Sequence, residues 1–168
     1  AMEPFQWPLR EPGVPVQRLF ADGHFYTPDN RARFHAIAPR APAAPPNAAY
    51  PWVLNTGRVR DHWHTMTRTG RAPRLSAHVT EPYAELHVED AALLRVNAND
   101  LVHVESAWGG ALVRARINEA QQRGSVFVPM HWNDRFAGEA AINAVVNPHT
   151  DPVSGQPEFK HTPVKLSR

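Results

Sequence analysis

From Thr56 to Gly70 the chain reads Thr-Gly-Arg-Val-Arg-Asp-His-Trp-His-Thr-Met-Thr-Arg-Thr-Gly, and Arg71 and Arg74 follow closely. Glycine lets backbone amides approach a ligand, threonine hydroxyls donate hydrogen bonds, and guanidinium groups make two-pronged contacts to phosphate oxygens. This loop is therefore supplied to hold a diphosphate. The same composition also allows a plain solvated basic loop. His62 and His64 flank Trp63, but no spacing marks a third and a fourth metal ligand, so no metal site is assigned. Hydrogen bonding to a ligand or to loop backbone is the expected role of the two imidazoles, with Trp63 as a flat apolar surface.

A second polar group follows Val128-Pro-Met-His-Trp132: Asn143, Asn147, Thr150-Asp-Pro152, Ser154-Gly155 and Lys160-His161. Asn143 and Lys160, on loops after a strand, can read heteroatoms of a fused heterocycle or hold phosphate. Against this, Asn147-Pro and Asp151-Pro are turn starters, and Lys160 reads equally as a surface lysine. Ser76, Ser125, His131 and Asp134 lack a G-x-S-x-G context, and neither a G-x-x-x-x-G-K-[ST] loop nor a G-x-G-x-x-G fingerprint occurs. With no cysteine, the segment holds no disulfide, thiolate zinc site, iron–sulfur ligand or cysteine nucleophile. No residue is assigned as a catalytic acid, base or nucleophile.

The elements that position these groups follow from pattern. A chain of 168 residues has room for one ordinary domain plus a tail or linker. Its 17 prolines, about twice the usual share, interrupt the chain too often for long helices. The lead-in carries Pro4, Pro8, Pro12 and Pro15 around Phe5, Trp7 and Leu9 and is expected to be extended. Val16–Phe20 and Arg33–Ile37 suggest a hairpin closed through Gly23 and a Thr27-Pro-Asp-Asn30 turn. Pro39–Pro46 reads as an extended linker, giving a lead-in over 1–48 and a domain over 49–168. Within the domain, strands are expected at Trp52–Leu54, Glu85–Val88, Leu101–Glu105, Ala111–Ile117, Gly124–Pro129 and Pro163–Leu166, with a short helix over Glu89–Arg95. In Ala111–Ile117, Val113, Ala115 and Ile117 share one face and Arg114 and Arg116 the other. Short strands with one short helix suggest a barrel.

Read together, Leu54-Asn-Thr-Gly-Arg-Val-Arg-Asp-His-Trp-His-Thr-Met-Thr-Arg-Thr-Gly70, Val126-Phe-Val-Pro-Met-His-Trp132 and Asn147-Pro-His-Thr-Asp-Pro-Val-Ser-Gly-Gln-Pro-Glu-Phe-Lys-His161 resemble the C-terminal domain of bacterial assimilatory nitrate reductases. Phe5-Gln-Trp-Pro8 and Thr27–Phe34 are similar to that family's lead-in. The resemblance implies a mainly β fold with short helices, a double-psi β-barrel. It also implies molybdenum bis(molybdopterin guanine dinucleotide), shared with upstream domains that carry the molybdenum ligand and a 4Fe-4S cluster. Cofactor contacts would fall at Thr56, Gly57, Arg58, Val59, Arg60, His62, Trp63, His64 and Thr65, and at Asn143 and Lys160. His131, Trp132 and Arg68 would lie near a substrate funnel.

The parent implied by the resemblance reduces nitrate to nitrite in the cytoplasm, and this domain alone is not catalytic. Its partners would be the upstream domains of the same polypeptide, with nitrate as the parent's substrate, no nucleic acid and no membrane; the electron donor is not named. Alternatives are the same domain of a formate dehydrogenase or a periplasmic nitrate reductase, or an independent anion-binding scaffold barrel. An apolar surface around Phe5, Trp7 and Trp52 is expected to favour self-association.

Overall fold

Alternation of apolar and polar side chains builds the strands of the fold, and the computed structural model describes residues 4–5 and 18–168 of it. The strands are β1 (Trp52–Gly57), β2 (Tyr83–Leu86), β3 (Leu101–Glu105), β4 (Gly110–Ile117), β5 (Ser125–Pro129) and β6 (Thr162–Ser167). Inward positions are Leu54 and Thr56, Ala84 and Leu86, Val102 and Val104, Ala111, Val113 and Ala115, Val126 and Val128, and Thr162, Val164 and Leu166, all buried. These small and branched side chains fill a closed barrel in the order β1-β5-β2-β4-β3-β6. β1 runs parallel to β5, pairing Val53 with Ser125 and Gly57 with Pro129, and β2 runs parallel to β4. The other neighbours are antiparallel. This is the double-psi β-barrel that the motifs imply, with short helices α1 (Pro73–Ser76) and α2 (Val88–Leu94).

The order decides where the loops go. Because β1 and β5 are parallel, their C-terminal ends share one end of the barrel, and β6, antiparallel to β1, begins there. Residues 58–82 and 130–161 therefore emerge together. That end is closed by Ala140, Ile142 and Val145, which are part of the buried core. Gly109 lets the β3–β4 turn press against this plug: a Cβ there would stand 2.4 Å from the Ala144 carbonyl oxygen.

At the opposite end α2 contributes Ala91, and Arg95 ends it in a left-handed conformation (φ 56°) with Val96 N–H returning to Ala91 O at 2.9 Å. Asp90, buried in its first turn, accepts Gly124 N–H at 2.7 Å and lies 3.8 Å from Arg123 Nε. Replacing it by alanine leaves that amide without its acceptor. Asp90→Ala is expected to cost about 1–3 kcal/mol, lowering the thermal midpoint by roughly 5 °C in a calorimetric scan. An unchanged midpoint would remove Asp90 from the account of this end.

Two compact units divide the chain between Arg40 and Ala41. In the first, Phe20 stacks on Phe25 at 4.8 Å, and Thr27–Asn30 forms the expected turn, with Asn30 N–H bonded to Thr27 O at 3.0 Å. The expected hairpin partner strand is not formed: Arg33–Ile37 has no ladder, and Phe34 and Ile37 are exposed. Without a pairing partner or a covered face, the β-branched and aromatic residues of this run have nothing to stabilise a strand. Val16 and Gln17, in its other arm, lie outside the described residues, as do Trp7, Pro8, Leu9, Pro12 and Pro15.

The second unit begins ahead of the expected 48/49 boundary. Ala43 N–H donates to Glu158 Oε1 at 3.3 Å, and Asn47 Oδ1 accepts from Ala49 and Tyr50, which gives the Pro/Ala segment fixed contacts. β1 is longer than expected, running through Gly57 because β5 pairs with it from Val53 to Gly57. Trp52, expected in an exposed apolar surface, is partly buried against the core, whereas Phe5 is exposed. Among the described residues no helix is long and apolar enough to cross a membrane.

Candidate functional site: the loop end of the barrel

The 58–70 loop is pinned to the segment leaving β5. His131, fully buried, accepts Val59 N–H on Nε2 at 2.9 Å and places Nδ1 2.6 Å from the His64 carbonyl oxygen. Beside it, buried His62 meets the Trp132 ring edge-on at 5.7 Å and holds Thr69 Oγ1 at 3.2 Å. His64 and Met66 are left-handed (φ 45° and 59°), an arrangement kept by burial of Met66 and by Met66 N–H bonding to Trp63 O at 3.0 Å. Because the loop turns tightly here, Trp63 and Thr65 are carried outward, and Trp63 is 58 % exposed. Arg58 stacks over its ring at 4.4 Å.

At the end of β1, Gly57 lies under two side chains: a Cβ would come within 2.9 Å of the Phe127 ring and 3.4 Å of Lys160 Nζ. Lys160 Nζ donates to Thr56 O, while Thr56 Oγ1, inside the barrel, donates to Phe159 O at 3.0 Å. Lys160 thus belongs at the strand end. It is held there by Asn147, whose Asn-Pro sequence suits a turn start but whose side chain does more. Buried Asn147 reaches Glu158 O, His161 O and Thr162 Oγ1 from Nδ2 at 3.1–3.2 Å, and its Oδ1 accepts His149 N–H at 2.9 Å. Asn-Pro at a turn was the visible signal; the hub itself rests on partners up to 15 residues away. Asn143, in a 3-10 turn (Ile142–Ala144), is exposed at the same barrel end.

Charge is unevenly distributed across this surface. Arg60 is paired with its neighbour Asp61 at 3.0 and 3.1 Å, and Asp61 also meets His78 at 2.8 Å. The hydrogen bond from Arg60 holds the Asp61 carboxyl below the usual range. Among the described residues Arg58, Arg68, Arg71 and Arg74 have no ion-pair partner. A cavity of about 160 Å³ between the two loops is lined by Thr65, Thr67, Gly70, Arg71, Asn133, Arg135 and Phe136. A larger open groove of about 390 Å³ on the outer face of β2 and β4 is flanked by Arg114–Glu81 and Arg116–Glu85 pairs, so its charges are already balanced.

These features fit an anionic dinucleotide. Lys160 fixes an ammonium group over the Gly57 backbone at the end of β1, and Arg71 and Arg135 line the cavity. Asn55 Oδ1, Glu158 Oε2 and His161 Nε2 are buried without a hydrogen-bond partner. Such groups are costly unless something meets them. His131 leaves neither ring nitrogen free, and among the described residues no three His, Asp or Glu side chains gather into a metal-holding group.

Comparison with known proteins agrees with this geometry. Residues 52–163 match the family model described as "Molydopterin dinucleotide binding domain". The chain is 39 % identical over 167 residues to a nitrate reductase of Klebsiella oxytoca, covering 99 % of this chain and 19 % of that protein. It is 33 % identical over 162 residues to the F420-dependent formate dehydrogenase subunit alpha of Methanocaldococcus jannaschii, covering 96 % and 23 %. The chain thus spans about a fifth of the length of these curated relatives. Among solved structures, acetylene hydratase from Pelobacter acetylenicus superposes with a TM-score of 0.61 at 19 % identity, over 71 % of this chain and 18 % of that one, a likeness of fold. With the barrel, the paired loops and the matched segment from Trp52 to Pro163 in agreement, the chain belongs to the molydopterin dinucleotide binding domain family.

Proposed function

We propose that this chain is the C-terminal cofactor-binding domain of an assimilatory, cytoplasmic nitrate reductase, holding molybdenum bis(molybdopterin guanine dinucleotide) together with upstream domains of the same polypeptide. The observation that carries the reading is the junction of Thr56, Gly57 and Lys160, where an ammonium group is fixed against the backbone of one strand end. The amides of Gly57 and Arg58 and the Lys160 charge bind diphosphate oxygens. The exposed Trp63 face, backed by Arg58, and the exposed Thr65 hydroxyl and Asn143 amide supply stacking and hydrogen bonds to ring heteroatoms. Arg68, unpaired and exposed, adds to a positive field that attracts nitrate. When bound, the cofactor supplies the two-electron chemistry that reduces nitrate to nitrite. The role of this domain is binding and orientation, and a 4Fe-4S cluster belongs to the upstream part of the parent.

The test is made on the full-length protein: molybdenum and iron content, then nitrate consumption and formate oxidation with artificial redox dyes. Molybdenum with nitrate reduction is the expected result. Molybdenum with formate oxidation alone changes the substrate to that of the formate dehydrogenase relatives, and a protein without molybdenum overturns the cofactor reading in favour of an anion-binding scaffold.

A further inference from the structure

We propose that His131 is a positioning residue that clamps the 58–66 loop through a neutral ring protonated on Nδ1, with Nε2 holding Val59 N–H and Nδ1–H holding the His64 carbonyl. As a role in cofactor binding, the clamp rests on the function proposed above; as a property of the loop it does not. A backbone N–H only donates and a carbonyl only accepts, so the contacts admit one tautomer and no second proton. The bonds bracket the turn that contains left-handed His64 and the outward Trp63, so they set where the loop's donors point.

The surroundings favour the same state. Burial pushes the imidazole pKa below its ordinary value; the His64 carbonyl bond opposes this, and nearby His62, Arg58 and His64 disfavour further positive charge. None of the groups acting on it is a carboxylate. The sign follows: with the folded value depressed, the clamp is fully present above the ordinary histidine value of about 6.5 and is lost as pH falls through the lower, folded value. Protonated Nε2 would then face the Val59 N–H donor to donor.

Hydrogen exchange by mass spectrometry on the full-length protein, following peptides that cover residues 59–66, reads the clamp without reference to activity. After correction for intrinsic rates, exchange there should be about tenfold faster at a pH below the folded value, reached by stepping down from pH 7.5, than near pH 7.5 itself, while β3 and β4 stay unchanged. His131→Gln, whose amide can accept from Val59 and donate to His64 without titrating, should keep slow exchange at both pH values. His131→Leu should exchange fast at both. Wild-type exchange that stays slow at every pH down to the opening of β3 and β4 overturns the proposal, as does a folded His131→Leu that exchanges as slowly as wild type. If His131→Leu does not fold, the wild-type series and His131→Gln decide, because a pH dependence retained in His131→Gln overturns the clamp. Molybdenum content separates the two readings: the expected exchange pattern in a molybdenum-free protein keeps the clamp and retires the cofactor, and a loop unaffected by His131 in a molybdenum-loaded protein does the reverse.

Discussion

Asn147→Ala is expected to destabilise the 168-residue chain by roughly 3 kcal/mol, measured as a shift in the urea midpoint at unchanged slope. The side chain is buried, donates to Glu158 O, His161 O and Thr162 Oγ1, and accepts from His149 N–H. Alanine leaves these groups without their partner in a space that water enters poorly. Asn147→Asp is the sharper variant. It keeps the acceptor for His149 but sets a carboxylate oxygen against the carbonyls of Glu158 and His161, so it should cost at least as much as alanine. A midpoint within about 0.5 kcal/mol of wild type for either variant would mean that the 147–161 loop is held by other contacts. Because this loop carries Lys160 to Thr56, both variants should also weaken the site.

The second large effect is expected at the strand end. Lys160→Met in the full-length protein should lower cofactor affinity by about 10- to 100-fold, corresponding to one charge-assisted contact of roughly 1.5–3 kcal/mol, with stability changed by no more than about 1 kcal/mol. The readout is molybdenum retained after dilution and gel filtration. Gly57→Val approaches the same junction sterically. Its Cβ would meet the Phe127 ring at 2.9 Å and Lys160 Nζ at 3.4 Å, so it should both destabilise the barrel by about 1–3 kcal/mol and displace the ammonium group. Retention equal to wild type in Lys160→Met would remove the lysine from the site, leaving its bond to Thr56 O a purely structural one.

The two residues act at different ranges. On the function proposed above, Lys160 brings charge to the ligand, whereas His131 acts one layer deeper, on the loop that presents the other proposed contacts. A further pair shows how the loop separates its charges: Arg60, expected among the cofactor contacts, is occupied by Asp61, while Arg58 is left to stack on Trp63. Neighbouring arginines of the same string thus have different partners, and composition alone does not distinguish them.

Strand positions were legible because they depend on side chains two residues apart. The alternation in Ala111–Ile117 appears in the barrel as buried Val113 and Ala115 against exposed Arg114 and Arg116, and Leu101–Glu105 keeps its bounds. The acidic start of α2 was similarly visible one residue away from its place. Arg33–Ile37 has comparable local character but no ladder, since a strand needs a partner that local sequence does not specify.

By itself, then, the sequence determined a set of short strands, a cysteine-free chain and two polar segments rich in groups that bind phosphate. The tertiary structure decided that these segments share one end of the barrel, through the parallel pairing of β1 with β5. It also turned His131 from a loop histidine into a buried clamp 72 residues from Val59, and Asn147 from a turn starter into a hub. The physical reason is range: side-chain alternation is set by neighbours along the chain, whereas the burial and hydrogen-bond partners of a polar group are set by whichever distant strand closes over it.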